Sequence, residues 1–537
     1  MRPIRLTPRR ARSGPRGAAS VGTIALAATV AAALAGFGAM APTGASVSTG
    51  TPAAVPAAPG PWDWPTYGHD AQHTFHGRTT LTKTSVRTLR RAWFFPTADA
   101  VTATPTVVGD TVYAGSWDDY FYALNLTTGA LRWKVRLKSQ DAITPYPGQN
   151  PRDAASDGGL VTSSAWFQPA GRDRPALVIV SGGYTLYALA AATGAVFWEH
   201  DYPGLPGPPD PDADSTRIFS SPVVADGRVL FGVDEDGQPA SAGFIVAANL
   251  LTGDPVWEYQ TDVAATGGKV VLDDSCGSVW SSGTVLPDLG LVVFGTADCK
   301  LSGTAPYADS VLALRIRNGT LAWKFHPLKN APACDDDFGA TANAGVSPSG
   351  ATTFLGEGSK NGTYYSLDPR TGRLRWSTNV VFGGSSGGFI GTTAYDGRRV
   401  YGATAIGDFF PTKHGIRPVC DPSDPRDTAS QNPTDHAFDA LNGSVVWQAN
   451  GVASFSATTV AGGMTFNGAA LSQVLDVRDA ATGSLLEQVP LPQFNWSGTA
   501  TVGDALVFGL GTTADATNSG IEVLTPGGAP PVIPGMS

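Results

Sequence analysis

The sequence predicts an all-β fold: an eight-bladed β-propeller of four-stranded antiparallel blades, closed by pairing of its N- and C-terminal strands. Three observations carry this expectation. A hairpin ending in tryptophan recurs along the chain, a second hairpin precedes most copies, and the two ends hold complementary fragments of one further unit. Composition agrees, because 65 glycines and 41 prolines among 537 residues, with only 15% charged residues, suit many short strands joined by tight turns.

The recurring hairpin reads DYFYALNLTTGALRW at 119–133, YTLYALAAATGAVFW at 184–198, GFIVAANLLTGDPVW at 243–257, DSVLALRIRNGTLAW at 309–323, GTYYSLDPRTGRLRW at 362–376 and DHAFDALNGSVVW at 435–447. Each is an alternating strand, a glycine turn and a second strand whose tryptophan falls four residues past the glycine. A seventh copy at 472–487 ends in Glu487 instead. Companion hairpins such as TPTVVGDTVYAG at 104–115 and SPVVADGRVLFG at 221–232 add two strands, giving the four of a propeller blade. At the ends, RTLRRAWF contains Trp93 without three strands before it, while the hairpin at 497–511 and SGIEVLTPG lack a final tryptophan strand. Joining them makes an eighth blade, leaves no open sheet edge and sets the propeller at 61–530. Trp93, Trp133, Trp198, Trp257, Trp323, Trp376 and Trp447 are then structural rings between blades.

Outside the ring, residues 1–41 have the order of an export signal. Six arginines and no acid precede a small apolar run at 18–41, with Ala39-Met40-Ala41 as a cleavage site. An uncleaved anchor is the alternative reading of that run. Residues 42–60, rich in Pro, Ala, Ser and Thr, read as a flexible spacer, and 531–537 as a tail. Cleavage would take the formal net charge from −9 to −15, a balance that argues against nucleic-acid binding, and would leave no stable membrane insertion. A secreted or extracytoplasmic location, in some association with the cell envelope, follows. There two disulfides are expected among Cys276, Cys299, Cys334 and Cys420, with Cys276–Cys299 and Cys334–Cys420 favoured of the three connectivities.

Propellers carry function in irregular loops, and here the insertions at 139–160, 202–215, 260–280, 297–309, 326–345 and 407–434 collect the unusual residues. CDDDFGATAN at 334–343 sets three carboxylates together, and SKNGTYYSLDPRTG follows at 359–372. His69, His73 and His76 have the close spacing of a zinc site, although a structural or surface role is favoured beside the closing strand.

The TG-x-x-W repeat, its companion hairpins and the ring of eight resemble the pyrroloquinoline quinone (PQQ)-dependent alcohol dehydrogenases. The lack of long helical inserts looks most like the polyvinyl alcohol dehydrogenase branch. The resemblance implies roles position by position. Trp280 matches the indole floor under the quinone, and Asp298, eighteen residues on, matches a calcium ligand. Asp337 matches the catalytic base, and Lys360 the base that contacts the cofactor and stabilises negative charge on it. Asp337 and Glu235, the latter in VDEDGQ at 233–238 where Asp236 is the alternative, complete the implied Ca2+ ligands. From the residues alone, Trp280 also reads as a core ring, Asp298 as a turn cap and Lys360 as a solvated lysine. Asp335 and Asp336 read as solvated or as local help for the ion, since three adjacent carboxylates repel one another. Residue 339 is glycine where lanthanide-using relatives carry aspartate, which favours calcium. The chain departs from the family pattern in lacking a vicinal cysteine pair, in carrying Thr102 for a glutamate, and in having no tryptophan before Asp337.

The implied function is a secreted oxidoreductase that oxidises alcohols or hydroxylated polymers such as polyvinyl alcohol. A separate electron acceptor such as a cytochrome c is expected, because no c-type haem sequence occurs. The alternatives are a non-catalytic propeller acting as a binding or assembly scaffold in the cell envelope, and unrelated chemistry on the same ring.

Overall fold

The computed structural model describes residues 58–137, 161–202, 218–234, 243–261, 277–297, 307–327, 336–381, 383, 387–405, 433–512 and 515–535, with the backbone of strands Val47–Thr49, Phe409–Thr412 and Gly415–Pro418. The chain divides into Met1–Gly44 and Ala45–Ser537, and every described residue lies in the second unit.

Eight antiparallel sheets follow one another, each with the four strands the hairpin pairs predict. Blade 1 holds Thr106–Val108, Thr111–Gly115, Tyr120–Asn125 and Leu131–Arg136. Blade 2 holds Trp166–Gln168, Leu177–Gly182, Thr185–Ala190 and Val196–Asp201, and blade 3 Val223–Ala225, Arg228–Val233, Phe244–Asn249 and Pro255–Gln260. Thr284–Leu286, Leu291–Gly295, Val311–Arg315 and Leu321–Phe325 form blade 4. Blade 5 comprises Asn343–Val346, Thr352–Gly358, Thr363–Leu367 and Leu374–Asn379. Ala394–Tyr395, Arg399–Ala403, Asp435–Asp439 and Val445–Ala449 make blade 6, and Thr459–Ala461, Met464–Gly468, Val474–Asp479 and Leu485–Pro490 make blade 7. Blade 8 takes Ala500–Val502, Ala505–Thr512 and Asp515–Pro526 from the C-terminal part and Leu89–Pro96 from the N-terminal part. The closing register runs from Leu89 opposite Pro526 to Pro96 opposite Gly520. Val47–Thr49, inside the Pro/Ala-rich segment, pairs with the outer edge of blade 1 opposite Trp133–Val135.

The seams between blades explain the repeat. Each of the seven tryptophans donates its indole N–H to a main-chain carbonyl of the next blade, from Trp93 to Leu126 at 2.7 Å through Trp323 to Pro369 at 3.0 Å and Trp447 to Ala480 at 2.9 Å. The turn glycine there has positive φ, and a Cβ on it would lie only 2.4–2.7 Å from the indole. Glycine is therefore fixed twice, by backbone conformation and by the ring against it. At the seam of blades 7 and 8, where Glu487 replaces tryptophan, the short helix Ser85–Thr88 and its flanks insert Leu81, Val86 and Leu89 into a core with Phe466, Val489, Phe508 and Leu524.

Antiparallel alternation also sorts the loops. Turns after first and third strands share one face of the ring, while second-to-third connections and all links between blades share the other, here called the loop face. The described strand ends that flank every long insertion predicted to carry function lie on the loop face. His73, by contrast, is buried, with its ring nitrogens 2.8 and 2.9 Å from the carbonyls of Tyr67 and Gly283, a structural pin for the N-terminal segment.

Candidate active site

A main-chain bond recurs on the loop face. In six blades among the described residues, an amide at or just past the end of the second strand donates to the carbonyl of the loop arriving from the previous blade. The pairs are Trp117 to Ala100, Ala297 to Ser278, Lys360 to Asp337, Ala405 to Gly388, Ala470 to Ala453 and Gly511 to Phe494. This bond sets the hairpin tip against the incoming loop near the axis. Among the six, only blade 5 carries an ionisable side chain at both ends, Lys360 and Asp337.

A second repeated position lies four residues before each first strand: Thr102, Thr162, Phe219, Trp280, Gly339, Ile390, Phe455 and Trp496. Seven are half-buried between buried neighbours, so the position repeats in burial as well as in sequence. Gly339 is the buried exception, because Trp280 lies across it. A Cβ at 339 would sit 1.6 Å from Cζ2 of that indole.

These two registers bring together three of the residues predicted from the sequence. Trp280 donates its indole N–H to Oδ2 of Asp337 at 3.0 Å. The Lys360 ammonium lies 3.5 Å from the same oxygen and 6.0 Å from the Trp280 ring centroid. At 3.5 Å the ammonium pairs with the carboxylate by charge rather than by a tight hydrogen bond. Asp337 and Lys360 are 5% and 7% exposed, so neither is a solvated surface charge. Burial makes each costly alone and the pair mutually dependent.

The neighbours differ in part from expectation. Asp336, read from sequence as solvated or as local help for an ion, is half-buried, and its carbonyl accepts the Ser359 hydroxyl at 2.7 Å. Burial first, then the negative charge of Asp337, pushes its carboxyl up to about 6, with Lys360 opposing. Thr102, standing in place of the family glutamate, accepts the Trp117 indole N–H at 2.9 Å. Asp298, Glu235, Asp236, Asp335 and all four cysteines lie outside the described residues. So do residues 1–46, including the predicted signal.

Sequence reasoning passed over Glu357. It is 1% exposed, neither carboxyl oxygen has a hydrogen-bond partner, and burial raises its pKa well above the usual range. It abuts Gly295 at the seam of blades 4 and 5, where Phe338 also packs. The signal was present, since Glu357 interrupts the buried second strand of blade 5. Asn361 and Tyr365 were also missed; the Asn361 amide donates to the Tyr365 hydroxyl at 2.9 Å, tying the Lys360 hairpin to the next strand.

A closed ring of eight four-stranded blades, with indole, carboxylate and ammonium meeting on one face, defines a propeller whose repeat has been individualised at a single blade. The family model described as PQQ, glucose/ethanol/alcohol dehydrogenase, beta-propeller domain, matches residues 64–381, and the chain belongs to that family. It is 25% identical over 367 residues to a polyvinylalcohol dehydrogenase of Pseudomonas sp, covering 64% of this chain and 54% of that protein. It is 24% identical over 410 residues to the polyvinylalcohol dehydrogenase of Sphingopyxis sp. (strain 113P3), covering 66% and 58%. The chain thus spans little more than half the length of these relatives. Quinohemoprotein alcohol dehydrogenase from Comamonas testosteroni superposes with a TM-score of 0.64 at 18% identity, over 89% of this chain and 82% of that one, a likeness of fold.

Proposed function

We propose that the protein is a PQQ-dependent dehydrogenase that oxidises alcohol groups, including the secondary alcohols of hydroxylated polymers such as polyvinyl alcohol, and passes electrons to a separate acceptor such as a cytochrome c. One observation carries this reading: among six equivalent loop-to-hairpin links, only blade 5 places a buried carboxylate and ammonium together, against a half-exposed indole. A flat apolar face with a cation 6.0 Å from its centre fits a planar, anionic ring system. When bound, PQQ supplies the acceptor for the hydride of the alcohol carbon.

The chain's own groups have distinct parts in this reading. Trp280 is the floor, and its N–H orients Asp337. Asp337 is the base that takes the hydroxyl proton. Lys360 holds the anionic edge of the ring system and steadies charge that develops there. The low exposure of both charged groups keeps water from weakening these interactions.

Ca2+ is the proposed companion ion, with Asp337 as its described carboxylate and Asp298 and Glu235 as further ligands. Among the described residues no group of three His, Cys, Asp or Glu is gathered, so the shell depends on those two positions. The indole against Gly339 leaves no room for a further carboxylate there. Export is part of the same proposal, and among the described residues no helix is long and apolar enough to cross a membrane.

The test is reconstitution of purified protein with PQQ and Ca2+, followed by quinone binding and dye reduction on primary and secondary alcohols. Asp337→Asn is expected to retain quinone binding and lose about 10²-fold or more in kcat, whereas Lys360→Ala is expected to weaken quinone binding. Absence of both binding and dye reduction in the unmodified protein would leave the scaffold reading in possession.

A further inference from the structure

A groove of about 520 Å3 opens between the outer strands of blades 4 and 5. Cross-strand pairing places Thr363 opposite Asn379 and Tyr365 opposite Ser377, so these four side chains stand on one face of blade 5. Phe325 and His326 close the groove from blade 4, and Leu374, 48% exposed, lies at its edge. The volume lies within the range of sites that hold organic ligands.

The chemistry of this lining is specific. Among the described residues no Lys, Arg, Asp or Glu lines the groove, although the chain as a whole carries a formal charge of −9. The described lining itself offers an ionic ligand no counter-charge. The polar groups are hydroxyls, an amide and an imidazole. Nδ1 of His326 lies 3.0 Å from the Ala308 carbonyl, which can only accept, so in the neutral ring Nδ1 carries the hydrogen and Nε2 is left as an acceptor. Beside these groups lies apolar surface, with the Phe325 and Tyr365 rings 5.5 Å apart. Alternating apolar and neutral hydrogen-bonding surface suits a chain that alternates methylene and hydroxyl-bearing carbons.

Tyr365 links the groove to the candidate cluster. Tyr365 lies 5.5 Å from the ring of Phe338, the residue after Asp337, and its hydroxyl accepts from Asn361, the residue after Lys360. Groove and site therefore share the hairpin that carries Lys360.

We propose that this groove is a secondary binding site for a neutral, hydroxyl-bearing carbon chain, holding a polymer segment away from the reacting carbon while another segment reaches Asp337. The inference rests on the alcohol-oxidising reading for its biological meaning but not for its test. Short poly(vinyl alcohol) oligomers are titrated calorimetrically into the protein without quinone, for the native chain, Ser377→Trp and Asn379→Trp, with folding of each variant checked by thermal unfolding. Binding by the native chain and a loss of tenfold or more in both variants is the expected result. In the reconstituted enzyme the ratio of kcat/KM for oligomer over that for 2-butanol should fall by a similar factor. Equal oligomer binding by all three proteins overturns the proposal, as does binding of a linear glucan oligosaccharide without binding of the oligomer. If the variants lose oligomer binding but no protein reduces dye, the groove stands and the dehydrogenase reading falls.

Discussion

Gly339 decides the geometry of the cluster more than any of its charged members. Its α-carbon lets the Trp280 indole lie flat enough for the N–H to reach Asp337, and no side chain fits in that position. Gly339→Ala should push the indole away and release the carboxylate. The expected outcome is a quinone affinity at least tenfold weaker, read by quenching of tryptophan fluorescence, while the fold is retained. Unchanged quenching would show that the indole is not the floor. The meeting of Trp280, Asp337 and Lys360 was legible from the sequence because residue type and order matched a family pattern. Gly339 was noticed only for what it lacked, since sequence spacing does not reveal which ring lies over a glycine. The half-burial of Asp336 was hidden too, because a run of acids looks solvated until the Ser359 hydroxyl is seen holding its main chain.

The hairpin repeat predicted the blades, the order of strands and the role of the tryptophans because each property is periodic. Trp323→Ala would remove a ring that is 8% exposed and leave the Pro369 carbonyl without its donor. A loss of about 3–5 kcal/mol is expected, visible as a lower urea midpoint. The plug of Leu81, Val86 and Leu89 at the seam with Glu487 was not legible, because it comes from a non-repeating segment at the far end of the sequence.

The seam of blades 6 and 7 is pinned by charge as well as by Trp447. Asp435 lies 3.3 Å from the Arg478 guanidinium and accepts the Asn467 amide at 2.8 Å. Burial pushes its carboxyl up to about 6, against the pull of Arg478 and with the push of Asp476. Since its unfolded value is near 3.8, the folded chain binds the proton more tightly, so this contribution to stability is full below about pH 4 and is lost as pH rises through 6. The change amounts to about 3 kcal/mol. Asn at this position cannot titrate, so the stability of the native chain relative to Asp435→Asn should fall between pH 4 and 7. A constant difference across that range would mean that Arg478 keeps Asp435 ionised throughout.

For the whole molecule, stability depends on a ring closed by one strand. Leu89–Pro96 is joined to Asp515–Pro526 by main-chain bonds and by a two-point ion pair, Arg91 Nε and Nη2 to the two Glu522 oxygens at 3.0 and 3.1 Å. The partners are unequal: the Glu522 side chain is 3% exposed, whereas that of Arg91 is 44% exposed. Burial already raises the carboxyl of Glu522 against the pull of Arg91. Arg91→Met should therefore be destabilising by about 2 kcal/mol, mainly because it strands a buried carboxylate rather than because a surface cation is lost. If that is the cause, Arg91→Met with Glu522→Leu should recover most of the loss, since both ends are then apolar. Hydrogen exchange adds the structural readout, because opening the closure exposes amides of Leu89–Pro96 and Asp515–Pro526 together while blades 3 to 5 stay protected. A double variant no more stable than Arg91→Met, or exchange that rises equally in all blades, would place the weak point of the ring elsewhere than at its closing strand.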